Sequence, residues 1–232
     1  MLSASERLRL KLDVVAPRPA DGQPFWLLDH PHARELYPRY LAASYHIGGT
    51  LVPLMEAALR RARELGPDDA VAAGLAAYLE RHIPEELHGD EPGGGMLDDL
   101  AALGVDVATL RAELPSPKIA ALVGAQYYWI LHQHPVAVFG FLELEAYHLD
   151  VPTVEALIEK TGLPREGFGQ LLLHAELDAG HARDMHRVLD SLPLEPYHEQ
   201  LIAVSALQTV ALVSEAVTEA VEGEALELPA LP

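Results

Sequence analysis

The sequence contains no cysteine. This absence excludes disulfide bonds, zinc sites with thiolate ligands, iron–sulfur clusters and thiol nucleophiles. Any bound metal ion must therefore be held by His, Asp and Glu side chains. Residues 1–24 lack the continuous apolar core of a secretory signal, and no run of residues approaches the roughly 20 apolar residues of a membrane span. We therefore expect a soluble cytoplasmic protein.

Basic and aromatic residues are scarce. The chain has 16 Lys and Arg against 35 Asp and Glu, which gives a formal net charge of -19 at pH 7. A surface with this charge repels phosphate backbones and anionic lipids, so we expect binding neither to nucleic acid nor to membranes. Aromatic residues make up 6% of the chain and hydrophobic residues 50%. Because Ala and Leu dominate the hydrophobic residues, the composition favours packed helices over a β-sandwich.

Apolar residues recur at helical spacing along most of the chain, and no sustained alternating strand pattern is present. We predict an all-α bundle of about seven to nine helices. A single helical domain, residues 30–222, follows an irregular Pro- and Gly-rich arm, residues 1–29, and precedes an acidic tail, residues 223–232. The helices are predicted at about 32–65, 67–88, 96–103, 106–114, 117–134, 135–150, 153–161, 165–192 and 195–221.

The segment HAELDAGHARDMH, His174–His186, carries candidate metal ligands at helical spacing. Because His174, Asp178 and His181 are four and three residues apart, they lie on one stripe of a helix. Apolar residues flank this stripe, so we expect it to face inward, where a metal would satisfy buried His and Asp together. The alternative is a polar helix face without a metal, and spacing alone does not decide between the two. We expect the end of the segment, including His186, to be ordinary helix surface.

Two other segments contain candidate ligands. In HIPEELH, Glu85 and His88 are three residues apart, the Glu-x-x-His arrangement that diiron carboxylate bundles use. In the otherwise apolar segment FGFLELEAYH, Glu143 and Glu145 would be costly to bury unless they were paired or bound a metal. One of these two acids is expected to be a ligand and the other a surface residue. Nitrogen and oxygen ligands of these kinds suit iron or manganese.

Taken together, these motifs resemble those of the haem-oxygenase-like diiron oxidases, also called iron-containing redox enzymes. The resemblance extends over about residues 30–192. It is carried by VPLMEAAL, HIPEELH, LDDLAALG, HPVAVFGFLELEAY and a GLP turn before HAELDAGH. It implies a haem-oxygenase-like helical bundle that holds two iron ions, or manganese, through six ligands: Glu85, His88, Glu145, His174, Asp178 and His181.

Two further acids are kept as candidate ligands. Glu145 is preferred to Glu143 because LEAY resembles the LEG-type segment of the family, but Glu143 stays open. Glu56 is the acid in register with a further carboxylate that the family often has on its first core helix, and a surface position is the alternative for it. The loop GDEPGGG departs from the uninterrupted helix of relatives, so a single or easily lost metal ion also stays open.

The resemblance implies a non-haem diiron oxidase or oxygenase that activates O2 with an external electron donor. Its substrate would be a small amino-acid-like or fatty-acid-like molecule, and N-oxygenation, C–C cleavage and desaturation are not distinguished. No catalytic residue is expected beyond the metal ligands, and a homodimer is compatible with this interpretation. The alternatives are a ferritin-like iron-binding protein, and a metal-free helical enzyme that resembles the thiaminase-II and pyrroloquinoline-quinone synthase branches.

Overall fold

The computed structural model describes residues 2–15, 25–87, 94–144 and 149–222, and these residues form helices and turns without a strand. The helices are α1 (Ala4–Val15), α2 (Trp26–Asp29), α3 (Ala33–Gly48), α4 (Leu51–Leu65), α5 (Ala70–Leu87), α6 (Gly94–Ala102), α7 (Val107–Ala112), α8 (Pro117–Tyr128), α9 (Val138–Leu142), α10 (Val151–Thr161), α11 (Gly169–Ser191) and α12 (Pro196–Glu222). A π-helical segment, Trp129–Gln133, follows α8 directly, and short 3-10 turns precede α9 and α11. The all-α prediction is confirmed, and nine of the described α-helices have seven or more residues.

The first helix, α1, corrects the prediction of an irregular arm over residues 1–29. Leu8 and Leu12 of α1 are buried in the core. Ser5 donates hydrogen bonds to Asp190 of α11 from both its backbone N and its Oγ, each at 2.8 Å. Helix α1 is therefore part of the bundle and covers the C-terminal half of α11. The acidic tail and the loop Gly89–Pro92 lie outside the described residues.

The helix predicted over residues 32–65, where Gly48, Gly49 and Pro53 are expected to bend or break it, is two helices. Helix α3 ends at Gly48 and α4 begins at Leu51, and Thr50 Oγ1 donates to the carbonyl oxygen of Ile47 at 2.6 Å between them. Pro84, at which the sequence predicts a kink or a restart, lies within the span of α5, so the helix does not restart there. Proline removes one hydrogen bond from a helix but does not end it where tertiary packing holds the next turn.

Buried apolar side chains form two clusters. The large core is built mainly by α1, α4, α5, α8, α9 and α12, and the small core mainly by α2, α3, α6, α7 and α10. Helix α11 contributes to both, because Met185 and Leu189 are buried in the large core while Leu171 and Ala175 pack against the small core. The middle of α11, which carries the predicted ligands, therefore lies at the junction of the two cores.

Asp99 of α6 fixes the start of α11. This buried carboxylate accepts a hydrogen bond from the backbone N of Gln170 at 2.8 Å. A Cβ on Gly169 would lie 2.9 Å from Asp99 Oδ1, so the helix start needs glycine to approach this closely. Burial raises the pKa of Asp99, although the amide hydrogen bonds act against this shift. The motif LDDLAALG thus has a structural role, which is to orient the N-terminus of α11.

Helix α9 approaches α12 closely because Gly140 has no side chain. A Cβ at this position would lie 2.5 Å from the backbone N of Ala206 and 2.6 Å from Ser205 Oγ. Ser205 Oγ also donates to the carbonyl oxygen of Ala137 at 2.9 Å, which holds the start of α9 on α12. This close contact carries Glu143, the residue after α9, into the interior, where it is buried.

His134 links α5, α12 and the turn before α9. Its Nε2 lies 3.1 Å from Asp69 Oδ2, and its Nδ1 accepts the backbone N–H of Val136 at 3.1 Å. The ring of His198 packs edge-on against it, with 4.7 Å between the ring centroids. A neutral ring that donates from Nε2 and accepts at Nδ1 satisfies both contacts. Burial lowers the pKa of His134, and His198 and Arg61 add to this shift, while Asp69 opposes it.

We expect His134 to make the protein less stable as the pH falls. The folded-state pKa is lowered below the ordinary value of about 6.5, so the unfolded chain binds the proton more readily. The stability contribution is therefore complete above about pH 6.5 and is lost as the pH falls through the folded-state pKa. Urea unfolding at pH 7.5, 6.5 and 5.5 should show a larger loss of free energy of unfolding for the wild type than for His134→Gln. Parallel losses in the two proteins would contradict this role.

Helix α12 is long and apolar enough, by length and composition, to cross a membrane. Its most apolar 18-residue window has a mean hydropathy of 1.7, and 39% of that window is buried inside the structure. This finding departs from the expectation that no segment reaches such a composition. The core helix of a bundle can have the same composition, and α12 packs against α1, α3, α8 and α9.

Candidate metal centre

A carboxylate and two imidazoles meet where α5 packs against α11. Glu86 Oε1 lies 3.5 Å from His82 Nε2 and 3.2 Å from His181 Nδ1. The rings of His82 and His181 are perpendicular, with their centroids 5.3 Å apart. His82 is buried and stacks on Tyr78, Glu86 Oε1 is buried as well, and the ring of His181 is partly exposed. The cluster therefore opens toward solvent on the α11 side.

The predicted ligand Glu85 lies beside this cluster on α5. Its Oε2 is 3.5 Å from His82 Nδ1, and its side chain is 61% exposed. His82 thus has one glutamate near each ring nitrogen, Glu85 near Nδ1 and Glu86 near Nε2. Of the two neighbouring acids, the structure places Glu86 in contact with α11.

The sequence predicts three ligands on one inward-facing stripe of α11, and the structure bears this out only in part. His174 is exposed, whereas His181, seven residues later, contacts Glu86. The side chain of Asp178 lies outside the description, as do residues His88 and Glu145. Within the described residues, no group of three or more His, Asp or Glu side chains has the geometry to hold a metal ion. The structure thus brings His181 to α5 and leaves the complete six-ligand set a prediction.

A second group of side chains, the pair of Glu143 and His186, lies between the end of α9 and α11. His186 Nε2 lies 2.8 Å from Glu143 Oε1. Glu143 Oε2 is buried and has no hydrogen-bond partner among the residues that the structure describes. The expectation that His186 is ordinary helix surface is therefore wrong, because its ring is largely buried against this carboxylate.

Helix α1 approaches the outer side of this pair. Arg9 of α1 places a guanidinium nitrogen 3.5 Å from His186 Nδ1. Because arginine can only donate, Nδ1 is the acceptor and Nε2–H is the donor to Glu143 in the tautomer that satisfies both contacts. The imidazole is thus fixed in orientation, and it holds one oxygen of Glu143 and leaves the other oxygen unused.

Glu56, the additional candidate ligand, lies on the outer surface of α4. About half of its side chain is exposed, and its carboxylate forms an ion pair with Arg60 at 3.8 Å. Glu56 is therefore a surface residue, as the alternative for this position has it. It belongs neither to the cluster at the α5–α11 contact nor to the pair of Glu143 and His186.

The sequence assigns no role at the site to three residues of these groups, namely His82, Glu86 and His186. His82 and Glu86 are four residues apart in HIPEELH, which is a helical spacing as clear as that of Glu85 and His88. That spacing was the available signal. For His186 the sequence offers no comparable signal, because its partner is Glu143, 43 residues away.

The donor atoms at the α5–α11 contact are of types that suit iron, although the described side chains do not by themselves form a group that would hold a metal ion. The side chains at the α5–α11 contact supply imidazole nitrogen and carboxylate oxygen, the ligand types that non-haem iron accepts. A buried carboxylate oxygen without a partner is costly, and a cation would offset that cost. Glu143 Oε2 is such an oxygen.

Similarity to solved structures supports the fold. A domain of unknown function with a haem oxygenase-like fold from Shewanella denitrificans OS217 has a TM-score of 0.71 and 17% sequence identity, covering 93% of this chain and 89% of that chain. A TenA homologue from Pseudomonas syringae pv. tomato DC3000 has a TM-score of 0.58 and 14% identity, covering 94% and 96% of the two chains. The prediction of a haem-oxygenase-like fold is thus confirmed.

The sequence also matches a family model. No curated protein matches the sequence. The model of the iron-containing redox enzymes matches residues 70–214, which is more than half of the chain and includes α5, α9 and α11 with Glu86, His181, Glu143 and His186. The chain therefore belongs to the family of iron-containing redox enzymes.

Proposed function

We propose that the protein is a non-haem iron oxidase or oxygenase that uses O2 to oxidise a small organic molecule. The observation that carries this proposal is the meeting of Glu86, His82 and His181 at the α5–α11 contact, in a chain whose family is iron-containing. A carboxylate and two imidazoles that meet in a partly buried position mark a candidate functional site. The family name supports iron and redox chemistry, and the use of O2 is our proposal.

The ligands that we propose come from three helical segments. The proposed set for two iron ions is Glu85 and His88 from α5 and the residues after it, His174, Asp178 and His181 from α11, and one acid at the end of α9. Of the two acids there, Glu143 has support from the structure, because it is buried and has an unused oxygen. Bound iron would supply the redox chemistry and the site where O2 is reduced.

Glu86, His186 and His82 are not in the proposed ligand set, and we propose that they orient the ligands. Glu86 faces His181 Nδ1, which leaves Nε2 of this ring for a metal, and His186 holds Oε1 of Glu143, which leaves Oε2. Contacts of this kind fix the tautomer and the direction of a ligand and raise its basicity. His82, buried between Glu85 and Glu86, holds the two carboxylates apart on one turn of α5.

We further propose that an external electron donor supplies reducing equivalents, since the composition provides no thiol or iron–sulfur centre. The substrate class that we propose is amino-acid-like or fatty-acid-like, with N-oxygenation, C–C cleavage or desaturation as the outcome. We propose that the protein acts in the cytoplasm, and the net charge of -19 supports action without nucleic acid or an anionic membrane surface.

Anaerobic loading with ferrous iron tests the proposal. After removal of free metal, the protein should retain about two iron ions per chain, the content of a carboxylate-rich helical site. Addition of O2 should then produce a visible absorption that rises and decays, and the decay should depend on the presence of the correct small molecule. The measurements are metal analysis and stopped-flow absorption.

Two outcomes would count against the proposal. If the protein stays free of iron after anaerobic loading, it has no metal site of the proposed kind. Uptake of many iron ions per chain, with oxidation that no small molecule accelerates, would instead favour a ferritin-like role. As a matched control, Glu56→Gln should leave the iron content unchanged, because Glu56 is exposed and paired with Arg60.

A further inference from the structure

Helix α1 lies along the C-terminal half of α11, on the outer side of the pair of Glu143 and His186. Ser5 of α1 bonds to Asp190, and Arg9, four residues later, lies 3.5 Å from His186 Nδ1, four residues earlier on α11. The two helices therefore run antiparallel. The side chain of His186 is 13% exposed and that of Glu143 is 3% exposed, so the pair is shielded from water where α1 covers it.

Helix α1 is held from one side. Its main contacts are with α11 and α12, and its fully buried apolar side chains are Leu8 and Leu12. Leu10 and Val14, on the opposite side of the helix, are exposed. A helix of 12 residues is only marginally stable in water by itself. Helix α1 therefore keeps its structure only while it is docked on the other two helices.

The seam beneath α1 is incompletely filled. A crevice with about 220 Å³ of empty space, part of it open to solvent, lies between α1 and the adjoining ends of α11 and α12. Leu8 and Lys11 of α1 line it on one side, and Leu189, Glu199 and Ile202 line it on the other. Side chains that border a gap lose part of the dispersion attraction that a close-packed interior provides. Helix α1 is therefore attached less firmly than a helix in the middle of the bundle.

Charge contributes to this attachment. Residues 4–15 contain three basic and two acidic side chains, in a chain whose net charge is -19. Arg7 donates two hydrogen bonds to the carboxylate of Glu199 on α12, at 2.8 and 2.5 Å. Both side chains are partly exposed, so salt weakens their attraction. A weakly basic helix is thus held on an acidic body by an interaction that depends on ionic strength.

We propose that α1 is a strap, a helix that undocks from α11 and α12 while the rest of the bundle stays folded, and that iron leaves and enters the proposed site while the strap is open. The first half of this proposal stands on the contacts of α1 alone. The second half rests on the proposed function, in which Glu143 is a ligand. Undocking takes Arg9 away from His186 and uncovers the outer side of the pair, so that water and chelators reach Glu143. Opening of this kind is a fluctuation of the native protein and does not need loss of iron.

Hydrogen exchange of the apoprotein, measured by mass spectrometry, tests the strap. After correction for intrinsic rates, the backbone amides of α1 should exchange at least about a hundredfold faster than those in the middle of α12, because undocking costs less than global unfolding. Raising NaCl from about 0.05 to 0.5 M should speed exchange in α1 roughly two- to fivefold. Arg7→Gln should speed it about three- to tenfold and should reduce the effect of salt, since the pair with Glu199 is lost.

Arg187→Gln is the matched control. Arg187 pairs with Asp184 on the same helix, α11, so its loss should leave exchange in α1 unchanged. Exchange in α1 as slow as in the middle of α12 would overturn the strap, as would wild-type exchange rates in Arg7→Gln. Exchange of wild-type α1 at the rate of an unfolded peptide would show that the helix is not docked, and would overturn the strap as well.

Release of iron to an excess of a coloured ferrous chelator tests the second half. After anaerobic loading, Arg7→Gln should start with the iron content of the wild type and release it faster, by the same factor as the rise in exchange of α1. Arg187→Gln should release it as the wild type does. Faster exchange in α1 without faster release would overturn this route for iron. A wild type that takes up no iron would overturn the proposed function and the route together, while hydrogen exchange of the apoprotein would still decide whether α1 opens.

Discussion

Replacement of His181 by alanine is expected to abolish tight iron binding while the helical bundle stays folded. His181 is the proposed ligand that the structure brings to α5, where its Nδ1 lies 3.2 Å from Glu86 Oε1. Loss of the imidazole removes one ligand and also releases the carboxylate that orients it. The iron content should fall from about two ions per chain to a small fraction of that value.

The stability of the apoprotein should change much less than its iron content. The ring of His181 is partly exposed, so its removal should lower the free energy of unfolding by about 1 kcal/mol, the value of an ordinary hydrogen bond. Metal analysis after anaerobic loading and urea unfolding of the apoprotein measure the two effects separately. His32→Ala is the control, because His32 is exposed at the start of α3 and its side chain forms no cap hydrogen bond there. Normal iron content in His181→Ala would show that α11 does not supply this ligand.

The second large effect is expected at the pair of Glu143 and His186. His186→Ala should lower the free energy of unfolding by roughly 2–4 kcal/mol, because it leaves a buried carboxylate without the partner that lies 2.8 Å away. The same variant should weaken iron binding by about 10- to 100-fold, the usual effect of removing a group that orients a ligand. If His186 were ordinary helix surface, neither quantity would change.

A double-mutant cycle separates these contributions. Glu143→Met removes the buried charge and keeps much of the side-chain volume. His186→Ala should therefore lower the free energy of unfolding by less in the Glu143→Met protein than in the wild type. Glu143→Gln keeps an oxygen that accepts from His186 but loses the carboxylate, so iron should be lost while stability is largely kept. The corresponding Glu145→Gln variant shows which acid is the ligand. Additive effects of His186→Ala and Glu143→Met would contradict a direct interaction.

The sequence predicted the helical class correctly because helical spacing of apolar residues is a local property. Helix α1 is hidden in the sequence because Pro17, Pro19 and Gly22 follow it closely and give residues 1–29 as a whole the composition of an irregular arm. Gly48, Gly49 and Pro53 indicate a bend or a break in the segment of α3 and α4, and the sequence alone does not decide between the two. In each case the packing of the segment against α11 or α12 decides the outcome, and that packing is not local.

The register of the candidate site could be predicted only in part. Glu85 and Glu86 are consecutive, so they point about 100° apart around a helix, and spacing to His88 selects Glu85. Which acid touches α11 depends instead on how α5 is rotated in the bundle, and the structure turns Glu86 toward His181. The burial of Glu143 likewise depends on a distant residue, since the contact of Gly140 with α12 brings it inside.

The position of α11 between two cores would give iron, if it is bound at the proposed site, a role in the cooperativity of folding. One end of this helix is held by the large core and the other by the small core, and α5 belongs to the large core. Iron bound by α5 together with His174, which precedes Ala175 of the small-core contact, would join the two cores as a cross-link. Because a ligand that binds only the folded state stabilises whatever it joins, iron would make the two cores unfold as one unit. Loss of the metal would then appear first as independent opening of the small core, before any helix of the large core is disturbed.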